Sequence, residues 1–318
     1  MKQCLIHNLD AIVVSFLSIF VLASCENPNL PGYDSDDESG NTTSNVVADD
    51  PDAVTLTLQV SGYEQVAFEE SDGDASYSKP QKAVALADVC TRIAFAAYID
   101  DERQAYVTQT SDDSDFGTFS VTLSKGTYTV VVLAHNGTGN ATMTSPDAIK
   151  FTNNKVTDTF YYCEELTIDD DASFAVTLER AVAKFRLCLT DVTPEEVTMM
   201  QLYYTGGSST FDATTGYGCV SSRQTEQRDV DATAYTGGSQ YDIYTFPHDY
   251  YDELTITVTA HDADDNILKE KVFETVPVAV NYMTVYTGEF FGDDVDYTGS
   301  AFSVSVGDTA WTVREYEY

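Results

Sequence analysis

The segment Val54-Thr55-Leu56-Thr57-Leu58-Gln59-Val60 decides how this chain is read. Four aliphatic residues alternate with three polar ones, so an extended strand turns every apolar side chain to one face and every polar one to the other. The alternation returns at Ile93, Phe95, Ala97 and Ile99. It appears again in Phe119 to Leu123 and in Thr127 to Ala134, on either side of Ser124-Lys125-Gly126, which reads as a tight turn. Strands over Thr159 to Ile168 and Ser173 to Leu178 follow, divided by Asp169-Asp170-Asp171. This half has no long amphipathic helix pattern, and turn signals at such spacing predict an all-β sandwich.

The pattern continues from Arg180. Ala183, Phe185, Leu187 and Leu189 alternate with Lys184 and Arg186, which predicts a strand with a basic outer face. Thr193-Pro194-Glu195-Glu196 has the form of a capping box with proline at the first helical position, so a single helical turn is expected before a strand near Met199 to Tyr204. Residues 205–240, rich in Gly, Ser, Thr and Asp, read as one long loop or a pair of mobile hairpins. Strands resume at Leu254 to Ala260, Ile267 to Phe273 and Met283 to Phe291. In the last stretch, 299–318, Phe302, Val304 and Val306 alternate with serines, and Ala310, Trp311 and Val313 follow Gly307-Asp308. Such a strand either pairs within its own half or is donated to a neighbouring molecule.

At the other end, Ala11 to Ala23 is apolar except for Ser15 and Ser18. A helix of that length falls short of the roughly 30 Å of a bilayer core but suits the h-region of a signal peptide. The run Leu22-Ala23-Ser24-Cys25 resembles the lipobox of bacterial lipoproteins. That resemblance implies cleavage between Ser24 and Cys25 and acylation of the Cys25 thiol, with residues 1–24 the lipoprotein signal. An ordinary secretory signal with an incidental cysteine is the other reading. Residues 25–52 then form a flexible acidic tether, with Pro28, Pro31, Pro51 and the run Asp34-Ser35-Asp36-Asp37-Glu38. It would reach roughly 90 Å when extended and average about 30 Å as a coil.

Composition narrows the function classes. Sixteen Lys and Arg stand against 52 Asp and Glu, a net charge of −36 that loss of Lys2 and Asp10 with the signal leaves unchanged. Nucleic acid is thereby excluded, because each phosphate contact needs a cation. The body is also kept from lying flat on an anionic membrane. An apolar content of 43% supplies real cores, and the length suggests two domains, 53–179 and 180–318. Cys90, Cys163, Cys188 and Cys219 permit one bond within each half, Cys90–Cys163 and Cys188–Cys219, or four free thiols. Without a C-x-x-C spacing, zinc and redox roles are not expected. His7, His135, His248 and His261 are scattered, and no nucleophile elbow, zinc-protease motif or phosphate-binding glycine loop occurs. Asp262-Ala263-Asp264-Asp265-Asn266 opens like a calcium loop, but Ile267 and Phe273 occupy its glycine and bidentate-glutamate positions. No enzyme activity, cofactor or metal is expected, whereas 21 tyrosines could supply a sugar-stacking surface.

Four further stretches carry a resemblance: Thr91-Arg-Ile-Ala-Phe-Ala-Ala-Tyr98, Leu123-Ser-Lys-Gly-Thr-Tyr-Thr-Val130, Leu178-Glu-Arg-Ala-Val-Ala-Lys-Phe185 and Val278-Ala-Val-Asn-Tyr-Met-Thr-Val-Tyr-Thr-Gly288. With the lipobox, they resemble the fimbrial subunits of Bacteroidetes, especially the FimB-type anchor group. The resemblance implies two tandem transthyretin-like β-sandwich domains, display at the outer membrane through lipid on Cys25, and strand exchange with other fimbrial subunits. Stalk subunits of that family are cut after an arginine that follows the first strand. Here no arginine lies between Cys25 and Arg92, and Arg92 falls inside an apparent core strand. Only Lys79 and Lys82 would offer a lysine-directed protease a site. A subunit that donates Phe302, Val304, Val306 and Trp311 but accepts nothing is a basal anchor that ends polymerisation. The alternative is a tip adhesin or glycan-binding surface lipoprotein with a host or bacterial surface ligand.

Labelling cells with palmitate tests the anchor directly. Cys25→Ala is expected to abolish the labelled band and either leave the signal uncut or release the protein to the medium; label persisting on the variant would remove the lipid from Cys25.

Overall fold

Alternating segments become strands throughout the first half: β1 (Thr43–Asn45), β2 (Val54–Tyr63), β3 (Arg92–Ile99), β4 (Glu102–Thr110), β5 (Thr118–Leu123), β6 (Gly126–His135), β7 (Ile149–Lys150), β8 (Thr159–Ile168) and β9 (Ala172–Arg180). The computed structural model describes residues 43–45, 50, 52–63, 85–292, 302–303 and 312–314, with only the backbone of 43–45, 302–303 and 312–314. One layer has the order β4-β3-β6-β8, with β1 on the outer edge of β4. It meets the second layer, β9-β2-β5, where Phe160 and Tyr161 of β8 pair with Arg180 and Glu179. Between them lies a core to which Leu56 and Leu58, Phe95, Phe119, Val130 and Val132, Phe160 and Leu178 contribute.

The second half comprises β10 (Ala183–Leu189), β11 (Met199–Thr205), β12 (Thr210–Asp212), β13 (Tyr217–Gly218), β14 (Arg223–Asp229), β15 (Ser239–Thr245), β16 (Tyr251–His261), β17 (Ile267–Ala279) and β18 (Tyr282–Gly288), followed by β19 (Phe302–Ser303) and β20 (Thr312–Arg314). Its layers are β14-β11-β16-β17 and β15-β10-β18. The topology of the first half is thereby repeated. β2 runs parallel to β9 and antiparallel to β5, just as β10 runs parallel to β18 and antiparallel to β15. Phe185, Leu202, Tyr204, Ile256, Val258, Phe273 and Tyr286 build the second core. All described helical turns are short 3-10 segments, and the all-β sandwich reading holds.

Several local expectations change. The Ser124-Lys125-Gly126 turn exists, but β5 and β6 do not pair: β5 joins β2 and β6 lies between β3 and β8. The turn therefore crosses from one layer to the other instead of closing a hairpin. Thr193-Pro194 makes the single turn expected, with Val197 N–H donating to Pro194 O at 3.0 Å, but the buried Thr193 hydroxyl caps nothing. Residues 205–240 are not one long loop. They hold β12, β13 and β14, a 3-10 turn over Ala232–Tyr235, and the start of β15. Lys184 on the supposed basic outer face is buried against Asp242, 2.8 Å away. The four cysteines are free thiols rather than two bridges. Cys90 faces the first core, while Cys163 packs on the opposite side of that layer. Burial pushes the Cys163 thiol up to about 11 and Cys90 higher still.

The β4-β3-β6-β8 layer is buried on both faces. Ile93, Phe95 and Ala97 turn to the sandwich core, whereas Ala94, Ala96 and Tyr98 turn to a third cluster shared with the second half. There β12 pairs with β7 through Phe211↔Ile149 and Thr210↔Lys150. Phe246 stacks on Phe211 at 4.9 Å and on Phe151 at 5.3 Å. Tyr161 meets Phe211 edge-on at 4.9 Å. Each such pair adds roughly 0.5–1.5 kcal/mol beyond its buried area. Gly216, at φ +80°, lets the β12–β13 turn approach the Tyr161 hydroxyl, where a Cβ would collide.

His135 closes this cluster. Its ring meets Phe151 edge-on at 5.3 Å, and its Nδ1 accepts the Gly137 N–H at 3.0 Å. Burial, helped by Arg92, holds its pKa down at about 4. The unfolded chain, titrating near 6.5, takes up this proton first as pH falls. Stability is therefore expected to drop by on the order of 3 kcal/mol between about pH 6.5 and pH 4 and then level off. Urea midpoints at pH 7.5 and 4.5 check this: His135→Gln should lose markedly less across the interval than the parent, and equal losses would assign the acid sensitivity elsewhere.

Candidate functional site

Three places have a geometry suited to recognition: the slot of the first strand, the outer edge of β18, and the junction between the halves. In the slot, β2 pairs with β5 from Val54↔Leu123 to Gln59↔Thr118 and with β9 from Leu56↔Ala172 to Tyr63↔Leu178. Val54, Leu56 and Leu58 are buried, each at roughly 1.5–3 kcal/mol of stabilisation. Arg92, in β3, donates to Thr138 O at 2.9 Å.

At the other end of the chain, β10 covers one edge of β18 and the chain's own C-terminal region covers the other. β19 pairs antiparallel at Thr287↔Ser303 and Gly288↔Phe302. β20 pairs parallel at Tyr282↔Thr312, Met283↔Val313 and Thr284↔Arg314. Ser24, Cys25, Val304, Val306 and Trp311, together with Lys79 and Lys82, lie outside the described residues; of Phe302 only the backbone is described.

The junction is organised by Arg180, at the end of β9. Its guanidinium is buried and forks onto Asp158, Nε to Oδ1 at 2.7 Å and Nη2 to Oδ2 at 3.0 Å. Nη1 donates to Asn281 Oδ1 at 2.9 Å in the second half, and the Phe160 ring lies 4.6 Å beneath. Asn281 takes a positive φ of 61° and donates its N–H to Val182 O at 2.9 Å. Ala181 and Val182, the whole connection, are buried in the third cluster.

Beside this contact the halves enclose a cleft of about 580 Å³. Residues 155–158 form one wall, and β14, β15 and the segment between them form the other. Asp242 receives two bonds of 2.8 Å from Arg186 and lies 2.8 Å from Lys184. Burial would raise the Asp242 carboxyl, but these cations together hold it below its usual range. Glu226 contacts Arg228, lies 3.9 Å from Lys155 and accepts the Tyr204 hydroxyl at 3.2 Å. Asp231 accepts from the N–H and hydroxyl of Thr233, which keep its pKa low. Thr157 Oγ1 on one wall is buried without a hydrogen-bond partner, whereas the Ser239 side chain on the other bonds Tyr241. Sequence reasoning singled out none of these cleft residues except Lys184 and Arg186. The charged and polar runs that supply the rest have no shared spacing.

A family model described as a family of unknown function, DUF6562, matches residues 47–308. No curated protein sequence matches the chain. Among solved structures, the chain is similar to a candidate adhesin from Bacteroides ovatus, at 10% identity and a TM-score of 0.48 over 83% of this chain and 96% of the other. A candidate polysaccharide-binding protein from Bacteroides thetaiotaomicron matches at 9% identity and 0.48, over 76% and 92%. The tip fimbrial protein Mfa3 from Porphyromonas gingivalis, truncated at its C-terminus, matches at 10% identity and 0.36, over 76% and 96%.

Deleting the Arg180 side chain would leave the Asp158 carboxylate without its ion partner. Arg180→Met is expected to destabilise the protein by roughly 3–5 kcal/mol in urea titration, and Arg180→Lys to restore only part because a point charge cannot make the fork. A loss below about 1 kcal/mol for Arg180→Met would show the junction to be held by apolar packing alone.

Proposed function

The chain belongs to the family of unknown function DUF6562, and from that premise we propose that it is a lipid-tethered surface protein of fimbrial or adhesin type, acting at an end of a fimbrium rather than along its shaft. The observation that carries this reading is the place of β2, paired on both edges between β5 and β9. An acceptor needs that slot open. No arginine between Cys25 and Arg92 offers an arginine-directed protease a way to open it. The lipobox resemblance supplies the tether through Cys25, and residues 25–52 supply the standoff. On this reading, residues 53–179 and 180–318 serve as two tandem domains.

The first position considered is the basal anchor, with the terminal segment given to the neighbouring subunit. Among the described residues, five of β19 and β20 pair with β18, and donation would exchange that pairing for a ladder in a neighbour's groove. The second position is the tip or a free adhesin, favoured by that same self-pairing, because a terminus held by its own β18 is not donated. Neither position requires catalysis.

Removing residues 299–318 separates them. For an anchor, the truncated protein should still reach the surface while fimbriae are shed into the medium, measured by immunoblot of cell and supernatant fractions. Unchanged retention would overturn donation and leave the adhesin position.

A further inference from the structure

In a chain of net charge −36, one open sheet edge is neutral. β14, Arg223-Gln-Thr-Glu-Gln-Arg-Asp229, is the outermost strand of its layer and pairs only with β11 among the described residues. Val230 N–H donates to Thr198 O at 2.9 Å, one step beyond the Met199↔Asp229 pair, and this fixes the alternation of the ladder. Residues 224, 226 and 228 therefore turn their backbone N–H and C=O to β11, whereas Arg223, Thr225, Gln227 and Asp229 turn theirs outward. Those four residues are exposed. The first half has the same layout, with β3 between β4 and β6 as β11 lies between β14 and β16. There the corresponding edge, that of β4, is covered by β1 from Thr43↔Val107 to Asn45↔Ala105. No strand covers β14 among the described residues, and it contains no proline, glycine or bulge to blunt it.

We propose that β14 pairs antiparallel with β14 of a second copy of this chain, joining two layers into one continuous sheet. The charges of the strand select this occupant. A two-fold axis at Glu226 sets Arg223 opposite Asp229, Gln224 opposite Arg228 and Thr225 opposite Gln227, and each pair occurs twice. The outward-turned residues then meet one another, so Arg223–Asp229 and Thr225–Gln227 become the hydrogen-bonded pairs that an antiparallel ladder requires. Within one chain Arg223 and Asp229 have no ion partner among the described residues; across the axis each gains the other. Glu226 faces its own copy, but Arg228 of the same chain already pairs with it. Gln227 O accepts from Arg228 Nη1 at 3.0 Å and keeps a second lone pair for the ladder. A uniformly charged partner strand would meet a like charge at one end of β14. Over the rest of the surface the excess of acid repels a second copy, whereas β14 carries two cations and two anions. The pairing goes beyond the fimbrial reading and holds for an anchor and a tip alike.

The test is sedimentation equilibrium of the full chain in density-matched detergent. The parent should dimerise with a Kd of about 100 μM or tighter. Arg223→Asp sets aspartate against aspartate and should weaken the dimer at least about tenfold. Adding Asp229→Arg to it reverses both charges and should restore the Kd to within about threefold of the parent. Thr225→Pro removes an outward N–H while leaving the β11 ladder whole, so it should abolish the dimer with the urea midpoint unchanged. A parent still monomeric at about 1 mM would overturn the proposal. So would a dimer insensitive to Arg223→Asp and Thr225→Pro, as one made by acyl chains would be. Failure of the double reversal to recover what Arg223→Asp loses would overturn it as well. Should Arg223→Asp not fold, the double reversal and Thr225→Pro decide the matter by themselves.

Discussion

A buried guanidinium is the constraint on which the arrangement depends. Taking a charge out of water costs several kcal/mol unless its hydrogen bonds are all met in good geometry. Arg180 meets that demand by drawing on both halves, its fork on Asp158 and its remaining donor on Asn281. Neither half alone satisfies it. Lysine could not, because the planar fork matches the carboxylate and an ammonium does not. The connection through Ala181 and Val182 is accordingly packed rather than loose, and Asn281 occupies a left-handed conformation that asparagine tolerates better than most residues.

That constraint shapes the surface beside it. Seating Asp158 against Arg180 brings residues 155–158 opposite β14 and β15 and so makes the cleft. The aromatic row from His135 through Phe151 and Phe246 to Phe211 and Tyr161 secures the same alignment with apolar contacts. The same burial that strengthens the row makes His135 its acid-sensitive point.

The repeated topology sets what lies along the edges of the layers. β2 and β10 each lie inside their layer, parallel to β9 and β18 respectively. In the first half this fills the position between β5 and β9. In the second, the edge beyond β18 is closed by short pieces of the chain itself. Among the described residues the ladder that holds β2 is longer than the one that holds β19 and β20.

Much of the strand content was legible in the sequence. Val54 to Val60 and Ala183 to Leu189 state their faces by alternation, because a pleated backbone turns successive side chains to opposite sides. The Arg180 stretch was visible as a resemblance, though not its partners. What alternation cannot state is what covers each face or which strand lies alongside. Ala94, Ala96 and Tyr98 look like the outer face of β3 until the second half is packed on them. Arg223–Asp229 has no apolar period, and is a strand because its backbone pairs with Met199–Thr205. The cleft follows the same logic: its residues come from segments some 70 to 100 positions apart, brought together by Arg180. Local sequence thus set the period of the chain and its turns, while contacts across the halves decided layer membership, double-sided burial and the cleft, since these depend on distant groups satisfying one another.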